Sequence, residues 1–265
     1  MRKSLFISFC LYALAGCSTI EKPPAAAVSD LAPTGRLRAA INLGNPVLAS
    51  RDAAGQPQGV SVDLARELSR RLGMPVELVT FDAAGKVVEA GRAGAWDIAF
   101  VALDPARAVD IAQSPPYVMI EGAYLVRNAS PIRGNAGVDR GGNRIVVGRA
   151  SAYDLFLSRN IKQAQIVRHP TSRGVVDSFV AGNYEVAAGV KQQLQADAKR
   201  IGGVRLLPGR FMVINQAMAS QRGREAGARY VREFIEQMKA SGFVARALER
   251  HGIEGAAVAP AGDAR

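Results

Sequence analysis

Cysteine is almost absent from this 265-residue chain: Cys10 and Cys17 are the only two. Both lie near the N-terminus, so whatever folds beyond them has no disulfide and must stand on an apolar core. Histidine is equally scarce. His169 and His251 stand far apart in sequence, with no cysteine near either. Zinc-type spacing is therefore missing, and neither a structural metal nor a cofactor is expected. Past the first few residues no apolar run reaches ~18 residues, the length a membrane-spanning helix needs. Lysine is rare as well, 7 of the 34 basic residues against 27 arginines. The net charge is +11, yet the longest adjacent basic runs are pairs such as Arg70-Arg71, and aromatics make up only 6%. Without a basic stripe interleaved with aromatics, nucleic-acid binding is not expected.

What the chain does have is apolar content, 48% of residues, enough for a substantial core. Its start, "MRKSLFISFCLYALAGCSTIEK", sets two positive residues before an apolar segment from Leu5 to Ala15. That pattern reads as a secretory leader. The leader ends in Leu14-Ala15-Gly16-Cys17, which resembles a bacterial lipobox, with the Cys17 thiol as lipid acceptor. Residues 18–35, rich in Pro, Ala and small polar residues, read as a flexible tether. The folded part is expected from Arg36 onward, and residues 255–265 read as a disordered tail.

Between these ends, strands alternate with helices. "RLRAAINL" reads as a strand and "VSVDLARELSRRLG" as a helix, since Val60, Leu64, Leu68 and Leu72 recur every four residues and Gly73 stops it. "MPVELVTF", "WDIAFVAL", "RIVVG", "AQIVRHP" and "YEVAAGV" read as strands, and "KVVEAGRAG", "SAYDLFLSRN" and "SRGVVDSFVAG" as helices. The class is α/β with parallel pairings. One local pattern occurs twice, 88 positions apart: Ala93-Gly94 then Trp96-Asp97, and Ala181-Gly182 then Tyr184-Glu185. In each copy a helix ends near glycine, an aromatic covers the turn, and a strand follows. The repeat suggests one supersecondary step used in two similar lobes, with Asp97 and Glu185 structural.

Five segments in order give the chain its resemblance to a known family. They are "GRLRAAINLGNPVLASRDAAGQPQGVSVDLARELSRRLG", "AGAWDIAFVALDPARAVDIAQSPPY", "GNRIVVGRASAYDLFL", "VAGNYEVAAGV" and "MKASGFVARALERHGI". Together they resemble the bacterial extracytoplasmic solute-binding proteins of family 3, the polar amino acid type that serves ABC importers. The resemblance implies a two-lobed periplasmic-binding-protein-like fold of type II, with two hinge crossings and a ligand cleft between the lobes. Lobe one would be 36–120 plus 213–254, and lobe two 121–212.

The resemblance also implies a site. Arg107 matches the family arginine that holds a ligand carboxylate, a task suited to the parallel N–H donors of a guanidinium. Asp104 and Pro105 before it read as an N-cap and a first helical residue. Ser151 matches the second-lobe hydroxyl at a helix N-terminus, facing the ligand, capping its helix, or both. Arg149 is a candidate second anion contact, and Asn45, with Asn42, a candidate donor from the first loop. Departures matter too. Where amino acid binders usually place an aspartate for the ammonium, this chain has Val190. Ala102 stands where Ser or Thr is common, and Val60 where phenylalanine is. Glu121 in the hinge stretch is either a replacement acid or a hinge salt bridge.

The expected function is a lipid-anchored, periplasmic, substrate-binding component of an ABC importer. It would be a monomer that closes on a small carboxylate-bearing solute and meets the importer permease in the inner membrane. Alternatives are a dehydratase-like enzyme of the same fold, with Glu121 as a raised-pKa general acid, and a ligand-sensing or delivery protein.

Overall fold

A computed structural model of the chain describes residues 22–262. The leader and Cys17 lie outside the described residues.

The first half of the chain builds β1 (Leu37–Asn42), β2 (Ser50–Arg51), β3 (Pro57–Gln58), α2 (Val60–Leu72), β4 (Val76–Phe81), α3 (Ala84–Arg92) and β5 (Ile98–Ala102), preceded by α1 (Ala25–Leu31). A long strand, β6 (Ile111–Arg127), carries the chain into the second half. There follow β7 (Arg144–Gly148), α4 (Ala152–Asn160), β8 (Gln165–His169), α5 (Val175–Ala181), β9 (Val186–Val190), α6 (Lys191–Ile201) and β10 (Val204–Leu206). The return strand β11 (Met212–Gln221) leads to α7 (Glu225–Ala240), α8 (Phe243–Arg250) and β12 (Ala257–Val258).

One ten-stranded sheet has the order β4-β1-β5-β11-β6-β9-β7-β8, with β10 and β12 also paired to β6. The outer pairs β1/β4, β1/β5, β7/β8 and β7/β9 are parallel, as the helix–strand alternation predicts. The central pairs are antiparallel, because β6 and β11 run between the two halves in opposite directions. Pro115 and Pro116 sit inside β6. Each lacks an N–H, and the β6/β11 register shifts near Ala217, opposite Pro116.

The repeated pattern has a shared structural purpose. In the first half Asp97, just before β5, accepts the backbone N–H and Nε of Arg38, both at 3.0 Å, and Nη2 at 2.8 Å. In the second half Glu185, just before β9, accepts the backbone N–H of Arg144 at 2.8 Å, its Nε at 2.9 Å and its Nη2 at 2.8 Å. Each acid thus bolts its strand to the start of the neighbouring parallel strand. The aromatics close the turns. Trp96 is fully buried and donates from Nε1 to the Val87 carbonyl at 2.8 Å. Tyr184 carries the Arg144 guanidinium 4.8 Å above its ring.

Two terminal expectations are corrected. Residues 25–31, read as part of a free tether, form a helix that packs on α7 with Ala27 and Leu31 fully buried. Gly227 permits the contact, since a Cβ there would lie 2.9 Å from the Asp30 Cβ. Asp30 Oδ2 then accepts the Gly227 N–H at 2.9 Å, satisfying a first-turn donor of α7. The tail is likewise ordered through residue 262. β12 pairs with β6, and the Ala259 N–H donates to the Tyr117 carbonyl at 3.1 Å. Residues 263–265 lie outside the described part.

Burial by itself would raise the Asp97 pKa, but the bonds from Arg38 and Arg224 outweigh it and hold the group below its ordinary 3.8. Stability from this depressed group is fully present above pH 3.8 and is lost as the pH falls through the folded-state value. Asp97→Asn should therefore cost about 3 kcal/mol at neutral pH and flatten the acid limb of a urea-unfolding series. Glu185→Gln, at a third-exposed acid, should cost about 1 kcal/mol or less. Equal losses in the two variants would show that burial does not separate the two bolts.

Candidate functional site

Arg107 lies after β5 in a run of turns rather than in a helix. Its N–H donates to the Asp104 carbonyl at 3.0 Å, and the Asp110 N–H donates back to the Arg107 carbonyl at 3.0 Å. The expected helical first turn is thus replaced by stacked turns, although Asp104 does receive the Ala106 N–H on Oδ1 at 2.9 Å. The Arg107 side chain is only 3% exposed. Nη1 donates to the Ala102 carbonyl at 2.8 Å, and Nη2 crosses to the second half to reach the Ala150 carbonyl at 2.9 Å. Burial pushes the guanidinium down to about 10, with the Asp104 charge opposing the shift. It is still a cation at neutral pH, and its hydrogen-bonding partners are neutral main-chain carbonyls.

Ala102 takes part through its backbone: its carbonyl accepts from Arg107 and, at 3.1 Å, from Gln113 Nε2. Ala150 has a positive φ of 54°, a conformation that costs an L-residue about 1 kcal/mol or more. Its N–H is held by Asp154 Oδ2 at 2.8 Å, so the carbonyl is aimed by a fixed local geometry. Ser151 is buried and N-caps α4, accepting the Asp154 N–H on Oγ at 3.0 Å.

Glu121 stands apart from Arg107. It pairs with Lys191 Nζ at 2.7 Å and Arg210 Nη1 at 2.8 Å, and those hydrogen bonds hold its carboxyl below the usual range. The expectation of a raised-pKa general acid is corrected: its partners favour the ionised form. Asn42 Oδ1 accepts the Gly44 N–H at 3.0 Å, a local turn bond. Asn45 is buried, and its Oδ1 has no hydrogen-bond partner among the described residues. Val60, Phe100, Ala102 and Val190 are all buried in one apolar cluster.

Side chains of the two halves meet directly. Arg159, in the last turn of α4, reaches Asp104 with Nη2 at 2.8 Å and Nη1 at 3.3 Å, and the Asp104 side chain is 4% exposed. This pair, 55 positions apart, was not foreseen from the sequence. Arg173 Nε donates to the Leu43 carbonyl at 3.2 Å. A cavity of about 590 Å³ lies between α3 and the 106–110 turns on one side and Arg149, Ala150 and α4 on the other. It brings together Arg107 and Arg149 of the expected site residues. Glu121 lines a different cleft of about 1030 Å³, beside α6 and residues 252–255. Among the described residues no cluster of three His, Cys, Asp or Glu is placed to hold a metal, and no helix is long and apolar enough to cross a membrane.

The family model for bacterial extracellular solute-binding proteins, family 3, matches residues 37–254. The chain belongs to that family. Its fold is the two-lobed one of periplasmic binding proteins. A solute receptor for L-cysteine from Neisseria gonorrhoeae superposes with a TM-score of 0.75 at 24% identity, over 86% of this chain and 94% of that one. A variant of ArgBP from T. maritima gives 0.74 at 18%, over 86% and 100%. An ancestral amino acid-binding protein, AncCDT-1, a precursor of cyclohexadienyl dehydratase, gives 0.72 at 20%, over 85% and 99%. At these identities the likeness is one of fold. No curated protein sequence gives a significant match. As a family 3 member the chain is a solute-binding protein.

Asp104→Asn keeps the bond from Ala106 but removes the charge that holds Arg159. Asp104 is enclosed but the Arg159 side chain is 46% exposed, so solvent screens the pair and its loss should shift the lobes toward opening by about 1 kcal/mol, roughly fivefold in the equilibrium. Small-angle scattering should record a larger radius of gyration at unchanged secondary structure. Identical scattering from wild type and variant would show that this pair does not hold the lobes together.

Proposed function

We propose that the protein captures a small carboxylate-bearing solute between its lobes and delivers it to an ABC importer in the membrane. The lobes would comprise 36–120 plus 213–254 and 121–212. The observation that carries this reading is Arg107: a buried cation at the lobe boundary, bonded to neutral carbonyls of both lobes and lining a cavity there. A buried charge is stabilised most by a paired opposite charge. A ligand carboxylate would supply that charge, and contacts with both lobes would favour the closed form.

The ligand end that matches an ammonium is weak. Val190 is buried and apolar, and Glu121 is occupied by Lys191 and Arg210. A buried ammonium without an acid would cost several kcal/mol, so ordinary L-amino acids are not the preferred solutes. The ionised, paired state of Glu121 also favours binding over dehydratase-like catalysis. Location follows the same reading: an extracytoplasmic monomer attached by lipid at Cys17, a residue outside the described structure.

Isothermal calorimetry against organic acids and amino acids tests the central claim. Arg107→Gln should weaken acid binding by about 2–5 kcal/mol. The glutamine amide can keep one of the two carbonyl bonds, so the unfolding free energy should fall by less than the binding loss, about 1–2 kcal/mol. Unaltered affinity would place the site elsewhere. For the anchor, Cys17→Ser should leave the protein unprocessed or free of the membrane fraction, and a variant that still matures and fractionates with membranes would refute lipidation.

A further inference from the structure

We infer that the solute carries two anionic groups, one held by Arg107 and the second by Arg149 across the cavity between the lobes. The inference rests on the carboxylate-capture reading above and narrows it to a class of ligand. A guanidinium has five N–H donors. Arg107 commits one from each terminal nitrogen to a carbonyl, and its Nε–H has no partner among the described residues. The side chain lines the cavity, so an anion docks there without displacing Ala150. Arg149 lines the same cavity from the other lobe, and among the described residues its guanidinium forms no ion pair or hydrogen bond. The rest of the charged lining is largely spoken for. Arg92 bonds Asp110 at 2.7 Å, with the Glu89 charge also acting on it, and Lys86 is paired with Asp82 at 2.8 Å.

Lys86 and Arg92 are paired with Asp82 and Asp110, so Arg107 and Arg149 are the lining cations without a carboxylate partner among the described residues. A dianion supplies a negative group to each of these arginines, whereas a zwitterion supplies one to a single arginine. The lining also includes the apolar side chains of Val88, Leu155 and Pro170, which suits a ligand with a short hydrocarbon spacer. The volume, about 590 Å³, fits a small organic molecule. Arg107 belongs to one lobe and Arg149 to the other, so a dianion ties the lobes together through two charge-assisted contacts and adds to the Asp104–Arg159 pair.

The test is calorimetry on the whole purified protein at low salt. Succinate, glutarate and adipate are compared with butyrate, valerate and hexanoate, and with phosphonocarboxylates of matching length. The expected result is that the best diacid binds at least about tenfold tighter than its monoacid. Arg149→Gln should bring the diacid-to-monoacid affinity ratio down to about one, while Arg149→Lys keeps part of the gain. A preference for the phosphonate series would identify the second group as phosphate-like and would support the same two-anion site. If no diacid or phosphonocarboxylate outbinds its monoacid, or if Arg149→Gln leaves the diacid unchanged, the two-anion inference is overturned. If Arg107→Gln nevertheless abolishes monoacid binding, carboxylate capture stands alone. If Arg107→Gln changes no affinity, the function proposed above falls as well. Arg149 is exposed, so its variants do not put folding at risk.

Discussion

A positive charge with almost no access to water sits where the two lobes meet, and the architecture around it is organised to hold it. The Arg107 guanidinium is anchored to its own lobe by the Ala102 carbonyl and to the other lobe by the Ala150 carbonyl. Neutral carbonyls satisfy its hydrogen bonds but do not neutralise it, and its lowered pKa expresses that shortfall. Asp104 is the nearest compensating acid, yet its carboxylate is committed to Arg159 of the opposite lobe. The boundary therefore joins the lobes while keeping an unmet demand for negative charge.

Each lobe has to be rigid for that arrangement to work. Both obtain rigidity in the same way, through an acid before one strand that grips the backbone and side chain of an arginine on the adjacent parallel strand. The two bolts differ in burial. Asp97 is fully enclosed and also receives Arg224, whereas Glu185 is partly open and its arginine stacks on Tyr184. The first lobe is reinforced again by α1, which brings Asp30 to the N-terminus of α7.

The departures from the family pattern acquire a physical meaning in this setting. Val60, Ala102 and Val190 belong to one apolar cluster, and Glu121, on β6, is paired with Lys191 and Arg210. The cavity lined by Arg107 lies elsewhere, against α3 and Arg149. Family membership identifies a solute-binding protein.

The order of strands and helices was legible in the sequence because local apolar periodicity, glycine stops and caps act over a few residues. The Val60–Leu72 helix, its Gly73 terminus, the Ser151 cap and the doubled Gly–aromatic–acid step all belong to that class. The family pattern also singled out Arg107. Other features escaped for identifiable reasons. α6 is mostly polar, with Leu194 its single buried residue, so its periodicity is faint. α1 lies in a Pro- and Ala-rich stretch whose composition reads as a linker, and it is buried only because Gly227 leaves room for it. At the site, the partners of Arg107 are main-chain carbonyls, and their direction depends on a positive-φ alanine held by Asp154. Asp104 and Arg159 are 55 positions apart. No local pattern encodes such pairs. Short-range sequence determined which elements form and which cation was available. The tertiary structure alone decided what that cation touches, because burial and charge compensation are set by chain segments that meet only after folding.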